Sequence, residues 1–90
     1  MLTIRYQKAF KRDYKQLKKR GHDVRLLERT IELLAEGKGL PPEYRDHALS
    51  VDYTGCRECY IALDWLLVYE IVERELLLYL TRTGMHSDLF

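Results

Sequence analysis

Toward the C-terminus, groups able to move protons and bind anions recur at short spacing: Asp64 just before the only tryptophan, Trp65, then Arg82 and His86. Histidine has a reference pKa near ~6.5 and so exchanges protons at neutral pH. An arginine presents a planar fork of donors that matches phosphate oxygens. Tyr60 and Trp65 offer rings on which an unstacked base can lie, worth roughly 1–3 kcal/mol per base. Together these groups suit cleavage of RNA by its own 2′-hydroxyl. That reaction needs a base for the 2′ proton, an acid for the departing 5′ oxygen and a cation for the charge that builds on phosphorus. Each residue also has a plainer reading. Trp65 suits a core, Arg82 could pair with Asp64 or Glu58, and His47 and His22 could be solvated loop residues.

Metal chemistry has little to work with. Cys56 and Cys59 form a C-x-x-C within a segment that reads as a strand. Three steps along a strand separate α-carbons by about 10 Å, beyond the roughly 4.4–6.8 Å of a disulfide. No second C-x-x-C completes a zinc site, although His47 and His86 are available as ligands. A metal-dependent nuclease would also need more carboxylates than Asp64 and Glu58. No metal and no cofactor are expected.

These groups must be held by a single domain, residues 1–90, which at 47% apolar and 32% charged has an ordinary globular composition. No leader pattern and no apolar run of about 20 residues is present, so the expected location is the cytoplasm, with no membrane partner. The net charge of +1 conceals a polarity: residues 1–30 hold ten Lys or Arg against three acids. A basic first third suits a polyanion or an acidic protein, or else is a solvated helix face.

Leu2, Ile4 and Tyr6 alternate with polar residues, as in a half-buried strand. Phe10, Tyr14 and Leu17 then follow helical spacing until Gly21. Asp23 is positioned to cap a second helix whose buried stripe is Val24, Leu27, Ile31 and Leu34. Gly37 stops that helix, and Gly39, Pro41 and Pro42 mark a loop. Residues 44–55 show no period and read as an irregular connection. Three strands follow, at 57–61, 65–72 and 76–82, the middle one apolar on both faces except for Glu70 and so interior. The expected fold is α+β: an N-terminal strand and two helices packed on a mainly antiparallel four-stranded sheet. A two-residue turn at Glu73-Arg74 would pair Val72 with Glu75 and Trp65 with Arg82. It would gather Tyr60, Asp64, Trp65, Arg82 and His86 at one end of the sheet.

Four spaced segments carry a family likeness. They are Asp46-His47-Ala48-Leu49, Gly55-Cys56-Arg57-Glu58-Cys59-Tyr60-Ile61, Asp64-Trp65-Leu66-Leu67-Val68-Tyr69, and the run from Arg82-Thr83-Gly84-Met85-His86 to Leu89-Phe90. They resemble the YafQ-type toxins of the RelE/ParE superfamily, and the strand–helix–helix start agrees in layout. The resemblance implies a ribosome-dependent mRNA endonuclease of a type II toxin–antitoxin system. It further implies a cognate antitoxin that is acidic and RelB/DinJ-like, with a ribbon-helix-helix DNA-binding portion as one form. By the same resemblance, His47 holds or activates the scissile phosphate, Asp64 is the general base, His86 the general acid, and Arg82 stabilises the phosphate. Trp65 and Phe90 would wall the site. Tyr60 stands where the family often has histidine, and a phenol donates a hydrogen bond to phosphate but is a poor base at neutral pH. Lys8, Lys11, Lys15 and Lys18 on the basic helix would meet RNA phosphates. The alternative is a non-catalytic ParE-like toxin or binding module that acts on gyrase or another protein.

Overall fold

The run Trp65–Val72, apolar on both faces, forms β4, the central strand of the sheet. The computed structural model describes residues 1–50 and 52–90. In chain order the elements are β1 (Thr3–Tyr6), α1 (Lys8–Lys19), α2 (Val24–Ala35), a 3₁₀ turn at Pro42–Tyr44 and β2 (His47–Ala48). After them come β3 (Arg57–Ala62), β4, a 3₁₀ turn at Glu73–Glu75, β5 (Leu77–Met85) and α3 (His86–Leu89). Asp23 caps α2 as its position suggested, its carboxylate accepting from the Arg25 N–H.

Among the described residues the sheet has five strands in the order β1-β5-β4-β3-β2 and is mixed, where four mainly antiparallel strands were expected. β1 lies parallel to β5, with Thr3 opposite Leu77 and Tyr6 opposite Leu80. The chain leaves β1, crosses two helices and returns to pair beside its start, a long-range choice that periodicity does not reveal. β2 has two residues, too few to show a period. It falls within the 44–55 stretch expected to be irregular, of which Val51 lies outside the described residues. The polar tail closes as the single helical turn α3.

The β4–β5 connection also departs from expectation. Val72 pairs with Leu77 rather than Glu75, and Trp65 with Met85 rather than Arg82. A two-residue hairpin turn favours Gly or Asn at its central positions. Glu73-Arg74 has neither, so the chain takes a 3₁₀ turn and closes it with Leu76 in the left-handed region, φ 56. Leu76 is 59% exposed, so its side chain gains little from this place. Left-handed backbone costs a non-glycine residue roughly 1–2 kcal/mol, partly offset by glycine's greater freedom when unfolded. Leu76→Gly is therefore expected to leave stability unchanged or raise it by up to about 1 kcal/mol, measured by urea unfolding.

The two helices cover one face of the sheet. Phe10, Leu17, Leu27, Ile31 and Leu34 pack there against Cys59, Trp65, Leu67, Tyr69, Leu78 and Leu80. The other face of β4 carries Leu66 and Val68, also fully buried.

Candidate active site

Residues directly opposite one another on antiparallel strands share a face. His47 stands opposite Glu58, Glu58 opposite Val68, and Val68 opposite Arg82. A single row thus crosses β2, β3, β4 and β5 on the face away from the helices. With Val68 between them, Glu58 and Arg82 are two strand spacings apart, about 10 Å.

Arg82 reaches this row because of a bulge. Leu78 and Leu80 face the helices, and simple alternation would send Arg82 the same way. Between Leu80, opposite Tyr69, and Arg82, opposite Val68, the extra residue Thr81 shifts the register. The bulge reverses the alternation, so that Thr83 turns toward the helices and Arg82 toward the row.

His47 is held from both ends. Its Nδ1 lies 2.7 Å from the Arg45 carbonyl oxygen and its Nε2 3.2 Å from Glu58 Oε1. Both ring nitrogens face acceptors, an arrangement that the doubly protonated ring satisfies. The Glu58 side chain is almost fully buried. Asp46, one residue back, points to the opposite face as strand alternation requires. There its carboxylate accepts from the Tyr69 hydroxyl and from Arg57 Nε. Burial, reinforced by the Asp46 bond, pushes the Tyr69 phenol up, so it stays a neutral donor at any working pH. The Asp46-His47 pair is thus an anchor followed by a presented imidazole.

His86 opens α3, and its N–H donates to the Asp64 carbonyl at 2.8 Å. Its ring lies 5.5 Å from that of Phe90, which meets Tyr53 edge-on at 6.0 Å. The Tyr53 hydroxyl accepts from Arg82 Nη1 at 3.1 Å, closing a circuit back to the row. Tyr53 holds a left-handed backbone, φ 62, uncommon for a bulky residue outside functional or tightly constrained segments. Arg82 Nε and Nη2 both reach Asp13, at 2.7 and 3.1 Å. That carboxylate raises the guanidinium's proton affinity still further, so its charge is permanent.

The resulting cleft has a volume of about 350 Å³ and is lined by His47, Ala48, Leu49, Ser50, Asp52, Glu58, His86 and Phe90. Three expected residues, His47, His86 and Phe90, meet in it, and Arg82 is joined to it through Tyr53. Asp64 lies beside His86 through its backbone, but its exposed carboxylate does not line the cleft. Tyr60 lies one hollow away, its ring 4.0 Å beneath the Arg45 guanidinium. Trp65 is not in the cleft wall as expected. It is 4% exposed on the helix face, its Nε1 donating to Thr83 Oγ1 at 3.0 Å and its ring packed on His22. Lys8, Lys11, Lys15 and Lys18 are exposed on α1, and none lines the cleft.

Glu58, Asp13 and Tyr53 were absent from the expected set. A glutamate in a strand reads as solvated until the pairing of β2 shows it buried against an imidazole. Cys56 and Cys59 are free thiols, and burial pushes Cys59 up to about 12, so it stays protonated. Among the described residues, no three or more His, Cys, Asp or Glu side chains gather as a metal site. No helix among them is long and apolar enough to cross a membrane.

Fold and cleft together define a small α+β domain with two imidazoles, His47 and His86, in the wall of one cleft. The family model for the bacterial toxin YafQ of type II toxin–antitoxin systems matches residues 2–90. The mRNA interferase toxin YafQ of Escherichia coli strain B / BL21-DE3 is 35% identical over 88 residues, covering 97% of this chain and 94% of the relative. A crystal structure of a metal-bound toxin from Helicobacter pylori superposes with a TM-score of 0.93 at 44% identity, each chain covered in full. YafQ in the E. coli DinJ-YafQ complex superposes with a TM-score of 0.91 at 34% identity, covering 100% of this chain and 99% of that one. The chain belongs to the YafQ family of type II toxins.

Proposed function

We propose that this chain is an mRNA endoribonuclease that cuts by attack of RNA's own 2′-hydroxyl on the neighbouring phosphate. The observation that carries the reading is the meeting of two imidazoles, His47 and His86, in one cleft of about 350 Å³, with a permanently charged arginine linked to it through Tyr53 and Phe90. The E. coli relative at 35% identity is named an mRNA interferase, which supports the same reading.

The 2′ oxygen attacks phosphorus and the bond to the 5′ oxygen breaks, leaving a 2′,3′-cyclic phosphate and a 5′-hydroxyl. His86 is the general acid: it is exposed in the cleft wall, where a ring proton can reach the leaving oxygen. His47 is less suited to accept a proton, because both its nitrogens already face acceptors. It serves instead to shape the phosphate's side of the cleft, and Arg82 supplies the permanent positive charge. Glu58 is buried and engaged by His47. The family resemblance assigns the 2′ proton to Asp64, whose backbone carbonyl holds His86, although the other carboxylate in the cleft wall is that of Asp52. Phe90 steadies the His86 ring, and Tyr60 with Arg45 forms a flat surface for a neighbouring base.

Translated mRNA is the expected substrate, with naked RNA cut slowly, because so small a cleft supplies few contacts of its own. The exposed lysines of α1 would then meet ribosomal phosphates. A cognate antitoxin with an acidic segment would cover α1 and restrain the enzyme, as DinJ partners YafQ in the E. coli complex. Induction in cells should halt protein synthesis. A DNA-damage response with translation undisturbed would instead favour a gyrase-type target.

No step in this scheme requires a metal. Excess toxin acting on a short RNA without ribosomes should keep its rate within about two-fold in EDTA. On ribosomes, where magnesium must stay, a transition-metal chelator should be equally harmless. A rate abolished by EDTA and restored by one divalent ion would contradict the scheme.

A further inference from the structure

Asp13 sits on α1, 69 residues from the arginine it grips. Its side chain is largely buried, and its carboxylate receives three donors. Arg82 Nε donates to Oδ2 at 2.7 Å, Arg82 Nη2 to Oδ1 at 3.1 Å, and the Thr83 N–H to Oδ2 at 3.1 Å. The Thr83 bond has a plain structural cause. β1 pairs with β5 only as far as Leu80, so beyond that point this edge of β5 has no neighbouring strand among the described residues, and Asp13 satisfies the amide instead.

The two Arg82 bonds do something different. A guanidinium on a long flexible stem samples many orientations, whereas a fork gripped by both oxygens of one carboxylate is fixed in plane and direction. That carboxylate is itself bolted to the β5 backbone. The Tyr53 hydroxyl takes a donor from Nη1, so these bonds use one N–H of Nη1 and one of Nη2 and leave the second of each for a phosphate. A site whose cation must meet a phosphate in one geometry benefits when a second layer of residues holds that cation.

We propose that Asp13 is the positioning residue of Arg82: it orients the guanidinium for the scissile phosphate, at the cost of setting a negative charge near the substrate. The inference rests on reading Arg82 as the phosphate-binding cation. It makes α1 part of the nuclease machinery as well as a cover for the core.

The two consequences of that charge separate positioning from mere support. Asp13→Asn keeps an oxygen for the Thr83 amide but loses the charge and the symmetric fork. The maximal rate should fall about 10–100-fold, as expected when a catalytic group is misaimed by an ångström or so. The half-saturating toxin concentration should stay level or fall, because a negative charge near the RNA has gone. Single-turnover cleavage of mRNA on translating ribosomes, titrated with toxin, reads both quantities, and thermal unfolding reads the fold. Arg82→Lys cannot be gripped by a fork, so adding Asp13→Asn to it should cost no more than about two-fold further.

A wild-type rate in Asp13→Asn overturns the inference. So does an equal loss from Asp13→Asn in the Arg82→Lys background, which would mark general support of the fold. Should Asp13→Asn fail to fold, Asp13→Glu keeps the charge but displaces the carboxylate by one methylene. It is expected to fold and to lose rate without losing affinity, and a full rate there overturns the inference. If Arg82→Ala itself cleaves normally, the reading of Arg82 fails and the inference with it. If Arg82→Ala is inactive while Asp13→Asn is normal, the inference alone fails.

Discussion

His86→Ala is expected to lower cleavage of translated mRNA by about 10²–10⁴-fold while the protein remains folded. The size follows from the role, since a general acid that leaves takes with it the proton for the 5′ oxygen. The preserved fold follows from the place. His86 is exposed, Phe90 is its one ring-to-ring neighbour among the described residues, and its bond to the Asp64 carbonyl uses the backbone N–H that alanine retains. Exposed substitutions of this kind usually change stability by within about 0.5 kcal/mol. Single-turnover cleavage beside a thermal melt checks both halves. An active His86→Ala would remove the acid from the scheme, and an unfolded one would make His86 structural.

Trp65→Ala is expected to be the most damaging substitution to stability, at about 3–5 kcal/mol. A domain of this size is typically stable by about 5–15 kcal/mol, so much of the margin would go. The indole is 4% exposed and lies among the helix-face core residues. Trp65→Phe should be milder, about 1–2 kcal/mol, because the Thr83 hydroxyl it abandons still donates to the Leu66 carbonyl. Cleavage per folded molecule should be unchanged in Trp65→Phe, since the ring faces away from the cleft. Urea unfolding gives the stabilities, and rates normalised to folded protein give the activity. A folded Trp65→Phe that no longer cuts would return the indole to the RNA.

How much of this was legible in the sequence depended on the range of each interaction. Phe10, Tyr14 and Leu17 mark α1 because helical neighbours are local, and Asp23 marks the start of α2 for the same reason. The run from Trp65 to Val72 identifies a central strand because both its faces are apolar. Pairing is another matter. That β1 lies beside β5 depends on contacts more than seventy residues apart. The expected register failed because Glu73-Arg74 cannot make a two-residue turn, and the turn the chain does make ends on a left-handed leucine that no residue preference announces.

The candidate site shows the same division. The histidines, Asp64 and Arg82 stand out by type, and family resemblance groups them. Their geometry was hidden in a bulge at Thr81, which re-aims Arg82, and in a two-residue strand that sets His47 against Glu58. Asp13 looked like one acid in a basic helix. Only the fold shows its carboxylate gripping an arginine from the far end of the chain. Trp65 misleads for the opposite reason: beside Asp64 it looks chemical, yet alternation along β4 sends it to the core.

The chemistry of the cut ends tests the central claim most directly. An mRNA cleaved on translating ribosomes by the purified toxin should yield an upstream fragment ending in a 2′,3′-cyclic phosphate and a downstream fragment beginning with a 5′-hydroxyl, identified by mass spectrometry. A single 2′-deoxy nucleotide at the scissile position should abolish that cut. Fragments bearing a 3′-hydroxyl and a 5′-phosphate, or undiminished cleavage at the 2′-deoxy position, would mean that water rather than the RNA's own hydroxyl attacks phosphorus, and the roles assigned to His86 and Asp64 would fall.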